Sequence, residues 1–103
     1  MKQFTNAEQT ATLIELGFEK PKTKLPFEVA NDELGYTYSI GELIEMLEEV
    51  ASVVISYSYQ KNGYYVRVII PTRIGGGMYR ISQTELVDAL YDMVVKLKEE
   101  GVI

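Results

Sequence analysis

Residues 55–70 read ISYSYQKNGYYVRVII, two runs of β-branched and aromatic side chains on either side of Asn62-Gly63. Asn-Gly is the preferred central pair of a type I′ hairpin turn, because both central positions need positive φ. With those two residues as the loop, Lys61 faces Tyr64, Tyr59 faces Val66, Tyr57 faces Val68 and Ile55 faces Ile70. Strand side chains alternate, so Ile55, Tyr57, Tyr59, Val66, Val68 and Ile70 share one face, the one expected to be buried. The other face carries Ser56, Ser58, Gln60, Tyr65, Arg67 and Ile69 and is polar enough to meet water. Turn chemistry and apolar phase agree on a hairpin.

Towards the C-terminus, Pro71 ends the second strand because proline has no N–H for a ladder. Residues 72–77, TRIGGG, read as a loop, and Gly77 to Ile81 as a third, short strand. Ser82 followed by Glu85 has the spacing of a capping box. A helix is expected from Gln83 to Glu99, stopping at Gly101, with Leu86, Leu90, Met93, Val94 and Leu97 inward and Asp88, Asp92, Lys96 and Glu99 wet. Towards the N-terminus, Ser39 and Glu42 repeat the capping spacing and open a helix from Ile40 to Val50. Its inward residues are Ile40, Leu43, Ile44, Leu47 and Val50, and Glu42, Glu45, Glu48 and Glu49 form a solvated side.

A first helix spans Asn6 to Gly17, capped by Thr5 or Asn6, with a stripe of Ala7, Ala11 and Ile14 beside Leu13 and Phe18. Between it and Tyr36 lie two prolines and lysines at 20, 22 and 24 without a sustained period. That stretch is a connection with a short strand around Phe27 to Ala30. One echo runs through the chain: Tyr36, Ser39, Glu42, Leu43 and Leu47 recur as Tyr79, Ser82, Glu85, Leu86 and Leu90. Both copies read as a short strand entering a capped helix, and shared capping physics accounts for that. The expected fold is a single α+β domain over residues 1–103: a small antiparallel sheet of three or four strands with about three helices packed on one face.

Composition narrows the chemistry. A chain of 103 residues, 47% apolar and 24% charged, can bury one unaided core. It contains neither cysteine nor histidine, which excludes disulfides, thiolate zinc sites, a cysteine nucleophile and the commonest general base. Glycine runs cradle phosphate when they open a helix, whereas this one leads into a strand and matches no P-loop or dinucleotide pattern. Glu45 with Glu48 or Glu49, and Asp88 with Asp92, are neighbouring carboxylates of the kind common on wet helix faces. The expectation is a non-enzymatic protein with no cofactor and no metal site. No apolar run nears the roughly 20 residues that span a bilayer, and the acid-bearing start lacks a signal-peptide core. A cytoplasmic protein with no membrane contact follows.

The net charge of −5 is unevenly spread: residues 1–51 hold four lysines against ten acids, residues 52–103 six basic side chains against five acids. No acid lies between Glu49 and Glu85, where Lys61, Arg67, Arg73 and Arg80 all fall. An anion-seeking surface belongs there. Tyr65 joins it from the outer hairpin face, so Lys61, Tyr65, Arg67, Arg73 and Arg80 are the candidate binding residues. The 73–77 glycine loop, flanked by Arg73 and Arg80, is placed to close on an anionic partner. The leading reading is a protein-interaction or accessory module. The alternative is single-stranded nucleic-acid binding by the same face, which the whole-chain acidity disfavours. A weak carboxylate-based hydrolase or metal-binding protein is the second alternative. Tyr91 and Val95 widen the last helix's apolar stripe, which points to a homodimer contact.

Three segments, FTNAEQTATLIELGFEKPK, YTYSIGELIEML and ELVDALYDMVVKLKEEGVI, carry a resemblance. They look like a set of small uncharacterised proteins encoded by gut Bacteroidales genomes, their phages and mobile elements. The likeness covers roughly half the chain and departs at the central hairpin, the variable part of that set. It implies a compact cytoplasmic domain, an accessory protein of a mobile element that binds a host or phage macromolecule, and it transfers no site residue.

Overall fold

A computed structural model describes residues 2–19, 21, 23–24, 36–71 and 77–103. Among them the chain forms α1 (Ala7–Glu15), β1 (Thr23–Lys24), β2 (Tyr36–Thr37), α2 (Ile40–Glu48), β3 (Ser52–Ser58), β4 (Gly63–Ile70), β5 (Gly77–Gln83) and α3 (Leu86–Glu99). β3, β4 and β5 make one antiparallel sheet in that order, and β1 pairs with β2 in a separate short ladder. α3 lies across β4 and β5, and α2 packs against α3 and β3. The fold is α+β, with helices on one face of a three-stranded sheet.

The first two helices start as the sequence predicts. At α1 the Asn6 carboxamide oxygen accepts the Gln9 backbone N–H at 2.7 Å, and the Gln9 side chain accepts the Asn6 N–H at 3.0 Å. At α2, Ser39 and Glu42 exchange the same two bonds, each at 3.2 Å. Gly17 stops the first helix at φ +101°. The third helix departs from expectation. Ser82 does not cap it, because β5 runs on to Gln83 and pairs Ser82 with Tyr65 and Gln83 with Tyr64. Ladder hydrogen bonds hold the backbone that a cap would need to bend. Glu85 becomes the N-cap without a side-chain cap bond, and its carboxylate accepts the Lys2 backbone N–H at 2.9 Å instead. The internal echo therefore holds at its first copy and fails at its second.

The hairpin keeps its phase and changes its register. Ser58 pairs with Gly63, Tyr57 with Tyr64 and Ile55 with Val66, so the loop is Tyr59 to Asn62 and only Asn62 takes positive φ. Each β4 residue's partner slides by four positions along β3, from Tyr59 to Ile55 for Val66. The slip is even, so every side chain still in a strand stays on its expected face, while Tyr59 and Gln60 pass into the loop. Aromatic contacts favour the longer loop: the Tyr57 ring meets Tyr64 at 4.9 Å and Tyr59 at 5.0 Å, and its hydroxyl donates to Asn62 Oδ1 at 2.7 Å. Gly63 is required for closeness rather than for turning, since a Cβ there would stand 2.9 Å from the Gln83 carbonyl oxygen.

The core is α3 against β4 and α2. Leu86, Leu90, Met93, Val94 and Leu97 are buried as the periodicity predicts, with Val87 and Ala89, and they meet Val66, Val68, Ile70, Leu43 and Leu47. Two expectations are corrected. Ile55, Tyr57 and Tyr59 are exposed because the helices cover β4 and β5 rather than the far part of β3. Ala7 and Ala11 are exposed too, because α1 buries Thr10 and Leu13. Tyr91 and Val95 are half-buried against the core, so the widened stripe is used within the fold. The short strand expected near Phe27 to Ala30 lies outside the described residues, as do Lys20 and Lys22.

A buried hydroxyl cluster joins the N-terminal segment to β2. Thr5 Oγ1 lies 2.7 Å from the hydroxyls of Thr10 and Thr37 and accepts the Tyr38 N–H at 3.1 Å. Thr37 Oγ1 also donates to the Thr5 carbonyl. Nearby, Lys2 Nζ contacts Asp88 Oδ1 at 2.8 Å. Burial raises the Asp88 carboxyl, but the Lys2 ammonium and the Gln9 amide outweigh it and leave the group below its usual value.

Candidate functional site on the open sheet face

The alternation that sends Val66 and Val68 into the core sends their neighbours to the opposite side of the sheet. The register lines those neighbours up in rows: Ser52, Ile69 and Met78; then Val54, Arg67 and Arg80; then Ser56, Tyr65 and Ser82. Of the five candidate binding residues, four come together on this face or at its hairpin end: Lys61, Tyr65, Arg67 and Arg80. Arg73 and the 73–76 part of the glycine loop lie outside the described residues.

Tyr65 is the centre of the cationic group. The Arg80 guanidinium lies over its ring at 4.4 Å from the centroid, and Lys61 Nζ stands 5.6 Å away. Such contacts hold flexible basic side chains near one place while leaving their donors free. The Lys61 ammonium acting on the phenol oxygen, with Arg80 assisting, lowers the Tyr65 hydroxyl below its ordinary value. Tyr38 goes the other way, pushed up to about 12 by burial and by the Glu42 carboxylate. In an alkaline titration followed residue by residue, Tyr65 is therefore expected to ionise before Tyr38. Lys61→Gln should move the Tyr65 transition to higher pH, with the Tyr65 signal identified by its loss in Tyr65→Phe; a Tyr65 transition unmoved by Lys61→Gln contradicts the geometry.

Arg67 and Arg80 stand directly opposite each other on β4 and β5. Like charges facing across a ladder oppose sheet formation. Among the described residues no carboxylate lies within ion-pair distance of either, the ion pairs there being Lys2 with Asp88 and Lys96 with Glu100. Beside this charge the face exposes aliphatic surface, with Val54 40%, Ile69 45% and Met78 63% accessible. Residue type alone assigns such side chains to a core, so only the register shows that they flank the arginines. At the hairpin end a shallow cavity of about 240 Å³ is lined by Lys61, Gly63, Tyr65, Ser82 and Thr84 among others.

A cleft of about 360 Å³ lies between the segment that follows α1, α2 and the C-terminus, lined by Phe18, Tyr38, Met46, Ile103 and by Glu19, Glu42, Glu45 and Glu49. Sequence reading does not find this cleft, because it forms only where Phe18, α2 and Ile103 meet. Among the described residues no three acidic side chains are grouped to hold a metal ion, and no helix there is long and apolar enough to cross a membrane. Compared with known proteins, the chain matches no family model, no curated protein and no solved structure.

Proposed function

We propose that the protein is a non-enzymatic interaction module whose open sheet face binds a protein partner presenting carboxylates beside apolar side chains. The carrying observation is the facing pair Arg67 and Arg80, without a carboxylate among the described residues, next to exposed Val54, Ile69 and Met78. An uncompensated charge pair bordered by aliphatic surface matches the composition of recognition surfaces, where arginine and methionine are enriched. The resemblance of three segments to small Bacteroidales and phage proteins implies a host or phage macromolecule as partner and does not itself choose its class.

Single-stranded nucleic acid is the competing ligand. Stacking platforms offer free rings to successive bases. This face carries one aromatic ring among the described residues, Tyr65, and Arg80 already lies over it. The test compares partner capture from lysate by the wild-type chain and by Arg67→Glu/Arg80→Glu, with and without nuclease. A protein companion that survives nuclease and binds the double variant at least tenfold more weakly, at unchanged melting temperature, supports the proposal. Recovery of nucleic acid, or a companion indifferent to the charge reversal, overturns it. Binding should weaken moderately with salt and keep an apolar remainder, unlike the steep loss expected of phosphate contacts.

A further inference from the structure

We infer that β3 is the seam of a homodimer, in which two copies pair their β3 strands antiparallel about Ile55 and form one continuous six-stranded sheet. This is independent of what the open face binds. β3 is an edge strand, and among the described residues nothing pairs with its outer side. Proteins ordinarily blunt such edges with lysine, proline, bulges or inward charge, because a row of unpaired N–H and C=O groups recruits another strand. SVVISYS contains none of these.

The other edge supplies the contrast. β5 runs from Gly77 to Gln83 with Arg80 at its middle. Two β5 strands paired antiparallel about their centre would set Arg80 against Arg80, a like-charge pair that opposes association. Two β3 strands paired about theirs set Ile55 against Ile55 and Val53 against Tyr57 on the helical side, with Val54 against Ser56 and Ser52 against Ser58 on the open side. Every pair is apolar or neutral, and the two-fold axis through Ile55 makes every other contact twice. The side chains concerned lack cover in the single chain: Ile55 is 37% and Tyr57 40% accessible although both lie on the helical side of the sheet.

Size sets the strength. A seven-residue strand gives a seam about 24 Å long, at the small end of specific interfaces, where association is weak and reversible. The dimer is expected to form with a dissociation constant on the order of micromolar to tens of micromolar.

Sedimentation equilibrium of the full chain from 1 μM to about 1 mM tests this directly. The expected result is a reversible monomer–dimer equilibrium that stops at two chains. Ile55→Lys, at a partly exposed position, should weaken it at least a hundredfold, because two ammonium groups then meet on the axis. Ile55→Asp should do the same, and an equimolar mixture of the two variants should restore a dimer. That rescue requires position 55 to face itself. Circular dichroism confirms that the variants are folded, and Ser56→Lys, fully on the open side, serves if Ile55→Lys is not. A wild-type chain monomeric throughout, growth beyond two chains, a dimer unaffected by both lysine variants, or no rescue on mixing each overturns the proposal.

Discussion

Leu90→Ala is expected to lower the unfolding free energy by about 3–5 kcal/mol and the melting temperature by roughly 15–30 °C. Leu90 sits mid-helix in α3 with no accessible surface. α3 packs at once against β4, β5 and α2, so the layers around Leu90 are held from several directions. A cavity left there cannot close by moving one element, and the loss of transfer free energy is joined by lost dispersion contacts. Against a total stability of about 5–15 kcal/mol for such a domain, this is the change that comes nearest to unfolding it. Urea titration followed by circular dichroism measures it. A midpoint shift worth under about 1 kcal/mol at constant m would show that α3 is loosely packed. Glu99→Ala, exposed on the same helix, should stay within about 0.5 kcal/mol of wild type.

The second large effect is polar. Thr5→Val keeps the shape of a side chain only 3% accessible and removes its hydroxyl. The Tyr38 N–H then loses the acceptor at 3.1 Å, and the hydroxyls of Thr10 and Thr37 lose the partner at their centre. Thr10 still donates to the Asn6 carbonyl and Thr37 to the Thr5 carbonyl, so the group left desolvated and unpaired is the Tyr38 N–H, which costs about 2–3 kcal/mol against about 1 for an ordinary hydrogen bond. Thr37→Val removes groups from the same cluster, so the two substitutions should be non-additive by at least about 0.5 kcal/mol in a double-mutant cycle. Additive effects, or a Thr5→Val chain as stable as wild type, would show that water or another group takes over the Tyr38 amide.

Much of this fold is legible in the sequence because short-range physics fixes it. Ser39 with Glu42 announces its helix through bonds that span three residues, Thr5 or Asn6 marks the start of α1, where the structure selects Asn6 and adds Gln9, and the α3 leucines announce their face through one period. The hairpin register is not legible, since a slip of four positions preserves the apolar alternation along both strands. Nor is the capping of α3: Ser82 obeys the capping rule locally, and the ladder to Tyr65 claims it from β4. The threonine cluster looks like three ordinary polar residues until α1 and β2 are brought together.

The candidate face divides the same way. Lys61, Tyr65, Arg67 and Arg80 are found by alternation and by the stretch without acids, because exposed charge declares itself in any fold. Alternation places Ile69 on the wet side too, but Val54 and Met78 carry core-type side chains, and the three-stranded register shows them beside it. Ile55 and Tyr57 are misjudged for the converse reason. Phase places them on the helical face correctly, but the reach of α2 and α3 over that face is a tertiary fact.

The sheet's alternation also separates what the fold must keep from what it is free to change. Val66, Val68 and Ile70 answer to α3, whereas Arg67 and Ile69, one position away on β4, are exposed, and Tyr65 meets only the side chains of its own face. The same split runs along β5, where Tyr79 and Ile81 pack inward and Met78 and Arg80 do not. Mutation can therefore rewrite every second residue of these strands at little cost to stability. On the proposed binding role, the domain is a scaffold whose specificity can drift quickly while its architecture stays put.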